Sequence, residues 1–140
     1  MAIPRFWREI PSRYNLIGTK CGNCGAVDFP PREVCPACGR KSVGKMTRHR
    51  LSGRGTVVTY AVIHDAPSQF EMQKPYVVAI VEMEEGVRIT SQLIDVDAAD
   101  VRIGMSVQTA FRKLGQEGDA GVIHYGYKFR PVGPPAAGAP

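Results

Sequence analysis

Cys21, Cys24, Cys35 and Cys38 are all the cysteines of the chain, and they fall in two C-x-x-C pairs separated by ten residues, KCGNCGAVDFPPREVCPACGR. A C-x-x-C turn aims two thiolates at one point, and two such knuckles close a tetrahedron around a single ion. The pattern predicts one structural zinc. Iron in a rubredoxin-like site is the rival, because a thiolate tetrahedron accepts either metal. A redox dithiol is disfavoured, since two pairs so close in sequence are more simply one four-ligand site. Four protein ligands leave no position for water or substrate, so the ion is expected to hold the fold and not to react. Gly25 and Gly39 follow the two pairs and are expected to free backbone amides for the metal-bound sulfurs.

With every cysteine spent as a ligand, no thiol is left for thioester chemistry. None of the six serines lies in a G-x-S-x-G elbow, and the chain has neither a Walker loop nor a G-x-G-x-x-G fingerprint. His49, His64 and His124 are scattered. The pair His64 and Asp65, at the end of a predicted strand, is the best acid/base candidate. The expectation is therefore a chain that is not an enzyme by itself.

Eighteen Lys and Arg against thirteen Asp and Glu give a net charge of +5. Much of the excess is concentrated in Arg40, Lys41, Lys45, Arg48, Arg50 and Arg54. Such a cluster suits an anionic cofactor, an acidic partner or nucleic acid, and it equally suits a solvated face. The N-terminal residues lack an apolar run behind their basic ones, so no secretory signal is expected. The longest apolar run in the core, YVVAIV, falls far short of the ~20 residues that span a bilayer. A cytoplasmic protein is expected, with reduced thiols that favour metal over disulfides.

These residues need elements to position them. Residues 4–14, PRFWREIPSRY, read as a helical lead in which Phe6, Trp7, Ile10 and Tyr14 make one apolar face and Pro11 kinks or ends the helix. That face either caps the protein's own core or offers Trp7 and Phe6 to a partner. From Gly53 onward the pattern becomes period two. GTVVTYAVIH, YVVAIVEME, VRITSQLIDV, MSVQTAFRKL and VIHYGYKFRP are five strand-like runs separated by turn signals such as EEG at residues 84–86 and Gly104. Five short strands suggest a small closed barrel, an OB-fold in preference to an SH3-like one, because DVDAADVRIG offers a short helix after the third strand with Asp97 as its cap.

The fold class expected is mainly β: an N-terminal helical segment (1–17), a four-cysteine zinc ribbon with rubredoxin-like knuckles (18–45), a five-stranded OB-fold barrel (46–132) and a flexible Pro-Gly-Ala tail (133–140). Between the knuckles, FPPR is a stiff spacer whose Phe29 is expected to pack on the ribbon.

Trp7 in the lead, KCGNCGAVDFPPREVCPACG, SGRGTVVTYAVIH, PYVVAIVEMEEGVRITSQL, IGMSVQTAF and YKFRP stand in an order that resembles the zinc-ribbon/OB-fold proteins associated with acyl-CoA metabolism. The resemblance covers nearly the whole chain except the tail. It implies a non-catalytic companion of thiolase-superfamily enzymes. With its four cysteines intact and its short basic chain, the sequence is most similar in appearance to the archaeal subunit that bridges acetoacetyl-CoA thiolase and 3-hydroxy-3-methylglutaryl-CoA synthase in the mevalonate route to isoprenoids. Such a bridge favours direct transfer of acetoacetyl-CoA by raising effective concentration.

On that reading, Arg48, Arg50 and Arg54 are candidates for coenzyme A phosphates, and Phe70 and Lys74 in PSQFEMQKPY, with Trp7, for coenzyme A or partner contacts. The alternative is a single-stranded nucleic-acid-binding OB module. Against it, VVAIVEMEEGVRITSQLIDV has no aromatic residue and carries Glu82, Glu84 and Glu85 where a phosphate-tracking face needs base.

Overall fold

A computed structural model describes residues 3–133. Two short helices, α1 (Ile3–Arg8) and α2 (Ile10–Asn15), lead into β1 (Ile17–Cys21) and β2 (Val27–Asp28). The strands β3 (Met46–Arg50), β4 (Arg54–Ile63), β5 (Tyr76–Met83), β6 (Arg88–Leu93), β7 (Ser106–Gln116) and β8 (Ile123–Pro131) follow. The tail, apart from Gly133, lies outside the described residues.

The barrel closes in the order β4-β5-β6-β8-β7, with β7 returning to β4 and with β6 and β8 running parallel where Leu93 faces Phe129. This is the five-stranded Greek-key closure of an OB-fold. The alternation that betrays the strands in the sequence fills the interior: Val77, Ala79, Val81 and Met83 of β5 all point inward. Val57, Val81, Val107 and Phe129 are at most 1% exposed. Burying each such side chain contributes roughly 1.5–3 kcal/mol, so four neighbouring strands are tied together through this layer. The turn at 84–86 forms as read, with Gly86 at φ 83° and its N–H donating to the Met83 carbonyl at 2.9 Å.

Three expectations are corrected by the backbone. The lead is two helices broken at Glu9, and Pro11 stands at the start of α2 instead of ending α1. Proline lacks an N–H, and the first turn of a helix does not need one. The amphipathic face divides with the break: Phe6 is buried and Trp7 is 73% exposed. After the third barrel strand only a 3-10 turn forms, Ala98–Asp100, and the Asp97 side chain makes no cap bond; the Asp97 carbonyl alone accepts the Asp100 N–H at 2.9 Å.

The third correction concerns residues 46–50, which the sequence pattern assigns to the barrel. They form β3, which pairs antiparallel with β1 from Ile17↔Arg50 to Cys21↔Met46 in a three-stranded ribbon sheet ordered β2-β1-β3. Arg48 and Arg50 therefore stand on the ribbon.

Ribbon and barrel share one core. Leu16 and Leu51 lie within it, and the Leu51 N–H donates to the Leu16 carbonyl at 3.1 Å. Phe29 packs against the shared core and reaches the barrel, meeting the Tyr127 ring edge-on at 5.7 Å, and Tyr127 in turn meets Phe129 at 6.2 Å.

Candidate metal centre and surrounding surface

Strand β1 ends at Cys21, so its ladder fixes the first ligand, and the turn through Asn23 brings Cys24 back beside it. The second knuckle, Cys35 to Cys38, is followed by a 3-10 turn over Gly39–Ser42. The four Sγ atoms all lie within 4.8 Å of one another, and those of Cys24 and Cys35 are 3.6 Å apart. A tetrahedron with Zn–S bonds of about 2.3 Å has edges of about 3.8 Å, so this donor set fits one zinc with no open coordination position. Cys21 and Cys35 are buried and Cys24 is exposed, which puts the metal at the edge of the ribbon, where it staples the loops.

The thiols are not equivalent. Backbone N–H groups at Cys24 and Asn23 draw the Cys21 thiol down to about 7 from an ordinary 9.0. At Cys24 the Ala26 N–H also pulls downward, but the crowding thiols of Cys38 and Cys35 outweigh it and raise the group to about 12. Four sulfurs this close cannot all ionise without a cation among them, so metal binding and deprotonation are one event.

The glycines shape the knuckle turns, and at the first knuckle the Ala26 N–H that follows Gly25 reaches the Cys24 sulfur as expected. Gly25 and Gly39, at φ 77° and 53°, send their N–H groups to the carbonyls of Cys21 and Cys35, each at 2.9 Å, and so close the knuckle turns. The sulfurs receive the backbone N–H groups after each ligand, those of Cys24 and Asn23 at Cys21 and that of Ala26 at Cys24, and Asn23 adds its side chain: its N–H donates to Cys21 Sγ at 3.4 Å and its side-chain amide to Cys38 Sγ at 3.2 Å. Sequence reasoning does not reach Ser42 either. Fully buried, its hydroxyl donates to the Gly39 carbonyl at 2.6 Å and accepts the Cys35 N–H at 2.9 Å. Serine in a Gly-Arg-Lys-Ser turn gives no signal in sequence; only the fold of the second knuckle reveals its use.

The other candidate residues do not converge on one site. Arg50 lines a groove of about 170 Å³ with Tyr14, Leu16, Thr109, Phe111 and Tyr127, at the meeting of α2, ribbon and barrel. Arg54 lines a separate cleft of about 380 Å³ against Glu82, Glu84 and Ser106, on the barrel. Arg48 is exposed on β3. In the 3-10 turn Ser68–Gln73, Phe70 leans on Tyr76 with ring centres 5.5 Å apart, and Lys74 pairs with Glu71 at 3.1 Å. His64 and Asp65 line neither of these clefts. Trp7 projects from α1 into solvent.

Residues 8–44 match the family model of the ChsH2 rubredoxin-like zinc ribbon domain, and residues 48–112 that of the ChsH2 C-terminal OB-fold domain. Over 130 residues the chain is 54% identical to a DUF35 domain-containing scaffold protein of Methanocaldococcus jannaschii, covering 93% of this chain and 91% of that one. The chain belongs to the DUF35 family. Among solved structures it is similar to the Ltp2-ChsH2(DUF35) aldolase, with a TM-score of 0.70 and 32% identity over 92% of this chain and 94% of that one. A more distant relative is the benzoylsuccinyl-CoA thiolase subunit BbsA of Thauera aromatica, 28% identical over 120 residues, 84% of this chain and 76% of that one. As a DUF35 protein the chain carries its ribbon and barrel in the family's order, and the ribbon's donor set is the one a rubredoxin-like zinc domain needs. Among the described residues no helix is long and apolar enough to cross a membrane.

Proposed function

We propose that the chain is a non-catalytic scaffold in the cytoplasm that bridges an acetoacetyl-CoA thiolase and a 3-hydroxy-3-methylglutaryl-CoA synthase of the mevalonate route. The observation that carries this reading is the end-to-end likeness to a relative named a scaffold protein, ribbon and barrel included. BbsA is named a thiolase subunit, and the solved DUF35 relative stands with Ltp2 in an aldolase; both support an acyl-CoA enzyme as partner.

The physics suits such a role. A zinc-stapled ribbon fused into a barrel core is a stiff block, and holding two enzymes on one block raises the effective concentration of each at the other. Thiolase condensation is uphill, so prompt removal of acetoacetyl-CoA by the next enzyme draws it forward. On this proposal Arg48 and Arg50, exposed on the ribbon strand β3, contact coenzyme A phosphates or an acidic enzyme surface, with Arg54, Phe70, Lys74 and Trp7 as further contacts.

The test is conversion of acetyl-CoA by the two enzymes from the source organism, with and without this chain, while a competing enzyme consumes free acetoacetyl-CoA. The bridge raises the yield of 3-hydroxy-3-methylglutaryl-CoA and protects the intermediate from the competitor. Equal yields with and without the chain contradict it.

A further inference from the structure

We propose that α1 and the adjoining tip of the β7–β8 hairpin form one docking surface, and that its occupant is an enzyme subunit presenting an apolar patch with an acidic rim. The inference rests on the bridging reading above and adds where the chain grips.

Trp7, the sole tryptophan, is 73% exposed, and Ile3 on the same helix is 51% exposed. At the hairpin tip Val122 and Ile123 are also exposed. Helix and tip are neighbours because Phe6, buried beside Trp7, sets its ring 4.4 Å from that of His124, two residues after Val122, while Ile123 between them projects to the opposite face of the strand. The Arg13 guanidinium lies 5.0 Å from the same Phe6 ring, and Glu9 ties Arg13 to Arg5 across the helix break. The helix is therefore pinned, and the outward Trp7 is a consequence of its packing and not of fraying. Single exposed apolar residues need no explanation, but Trp7, Ile3 and Val122 on pinned neighbouring elements mark an interaction site. A tryptophan held rigidly at such a place is the residue type that carries binding energy.

Charge selects the occupant. Residues 3–16 hold Arg5, Arg8 and Arg13 against Glu9 alone, three positive charges to one negative. Glu9 is engaged by Arg5 and Arg13, and Arg8 has no acidic partner among the described residues. The hairpin from 112 to 124 adds Arg112, already paired with Asp95 at 3.4 Å, and Lys113 against Glu117 and Asp119, so it brings no further positive charge and the arginines of α1 set the sign. A second copy docking by two-fold symmetry sets the arginines of α1 against their own copies, so self-association is disfavoured and an acid-rimmed partner is favoured.

The experiment labels the full chain with fluorotryptophan, which gives one fluorine signal, and titrates it with the unlabelled thiolase and, separately, the synthase. The Trp7 signal is expected to move with one of them. Trp7→Ala and Val122→Ser are each expected to weaken that enzyme's binding by about thirtyfold, the loss typical of a central anchor, with zinc content and melting temperature unchanged. Ile103→Ser, comparably exposed but far along the chain, serves as the control that binds like wild type. If the wild-type complex forms and both surface variants bind as tightly, this docking surface is wrong while the bridge stands. If the wild-type chain binds neither enzyme, the bridge itself falls and the surface with it. A free wild-type dimer that Trp7→Ala dissociates, or a Trp7 signal that answers anionic lipid vesicles and neither enzyme, overturns the choice of occupant.

Discussion

The side-chain amide of Asn23, in the first knuckle, donates to Cys38 Sγ in the second at 3.2 Å. One residue thus connects the two halves of the metal centre outside the metal itself. Its own N–H serves Cys21 Sγ as well, so Asn23 spreads the charge of two ligand sulfurs.

Groups that hydrogen-bond to ligands tune affinity without touching the metal. The wild-type chain is expected to hold about one zinc, and Asn23→Ala to bind it about tenfold more weakly while keeping the fold. Competition against a chromophoric chelator measures both. An unchanged affinity would show that the Cys38 contact is incidental.

Ser42 holds the second knuckle from behind. Ser42→Ala leaves the Cys35 N–H and the Gly39 carbonyl without their side-chain partner in a buried place, and is expected to cost about 1–3 kcal/mol of stability. Denaturant unfolding of the zinc-loaded protein reads this, and a loss near zero would mean that water replaces the hydroxyl.

Glu9 accepts from Arg13 and Arg5, and these partners hold its carboxyl below the ordinary 4.5. A carboxylate depressed in the folded state adds stability above its unfolded value and loses it as pH falls through the lower folded value. The wild type is therefore expected to exceed Glu9→Gln in stability at neutral pH, by a small margin because the pair is partly exposed. The two should converge as the pH drops below 4.5. A gap that persists in acid would assign the effect to packing.

Arg48 and Arg50 share the ribbon strand β3, and Arg54 belongs to a different cleft. The double change Arg48→Ala, Arg50→Ala is expected to weaken enzyme or coenzyme A binding roughly tenfold or more, with little change in melting temperature, because charge-assisted contacts are lost and no core is disturbed. Calorimetry with each ligand tests this; equal loss of binding and stability would make the pair structural.

The metal centre is legible in the sequence because four cysteines at fixed spacing have few other uses, and the barrel because alternation and turn chemistry are local signals. What sequence reading does not reach depends on contacts between distant positions. Phe29 finds Tyr127 across most of the chain, and β3 chooses β1 over the barrel, although nothing in MTRHR announces either partner. Pro11 is ambiguous for a different reason: a proline ends one helix or begins the next, and only the break at Glu9 decides which. Asn23 and Ser42 look like turn residues and serve as turn residues, and their bonds to the knuckles appear only once Cys35 and Cys38 are folded beside Cys21.

A bridging subunit must hold both enzymes at once. The most direct test is light scattering behind size exclusion on the zinc-loaded chain co-expressed with the acetoacetyl-CoA thiolase and the 3-hydroxy-3-methylglutaryl-CoA synthase of the same organism. One large peak containing all three proteins is expected, separating into individual enzymes when the chain is left out. A small peak of this chain alone beside free enzymes would contradict it.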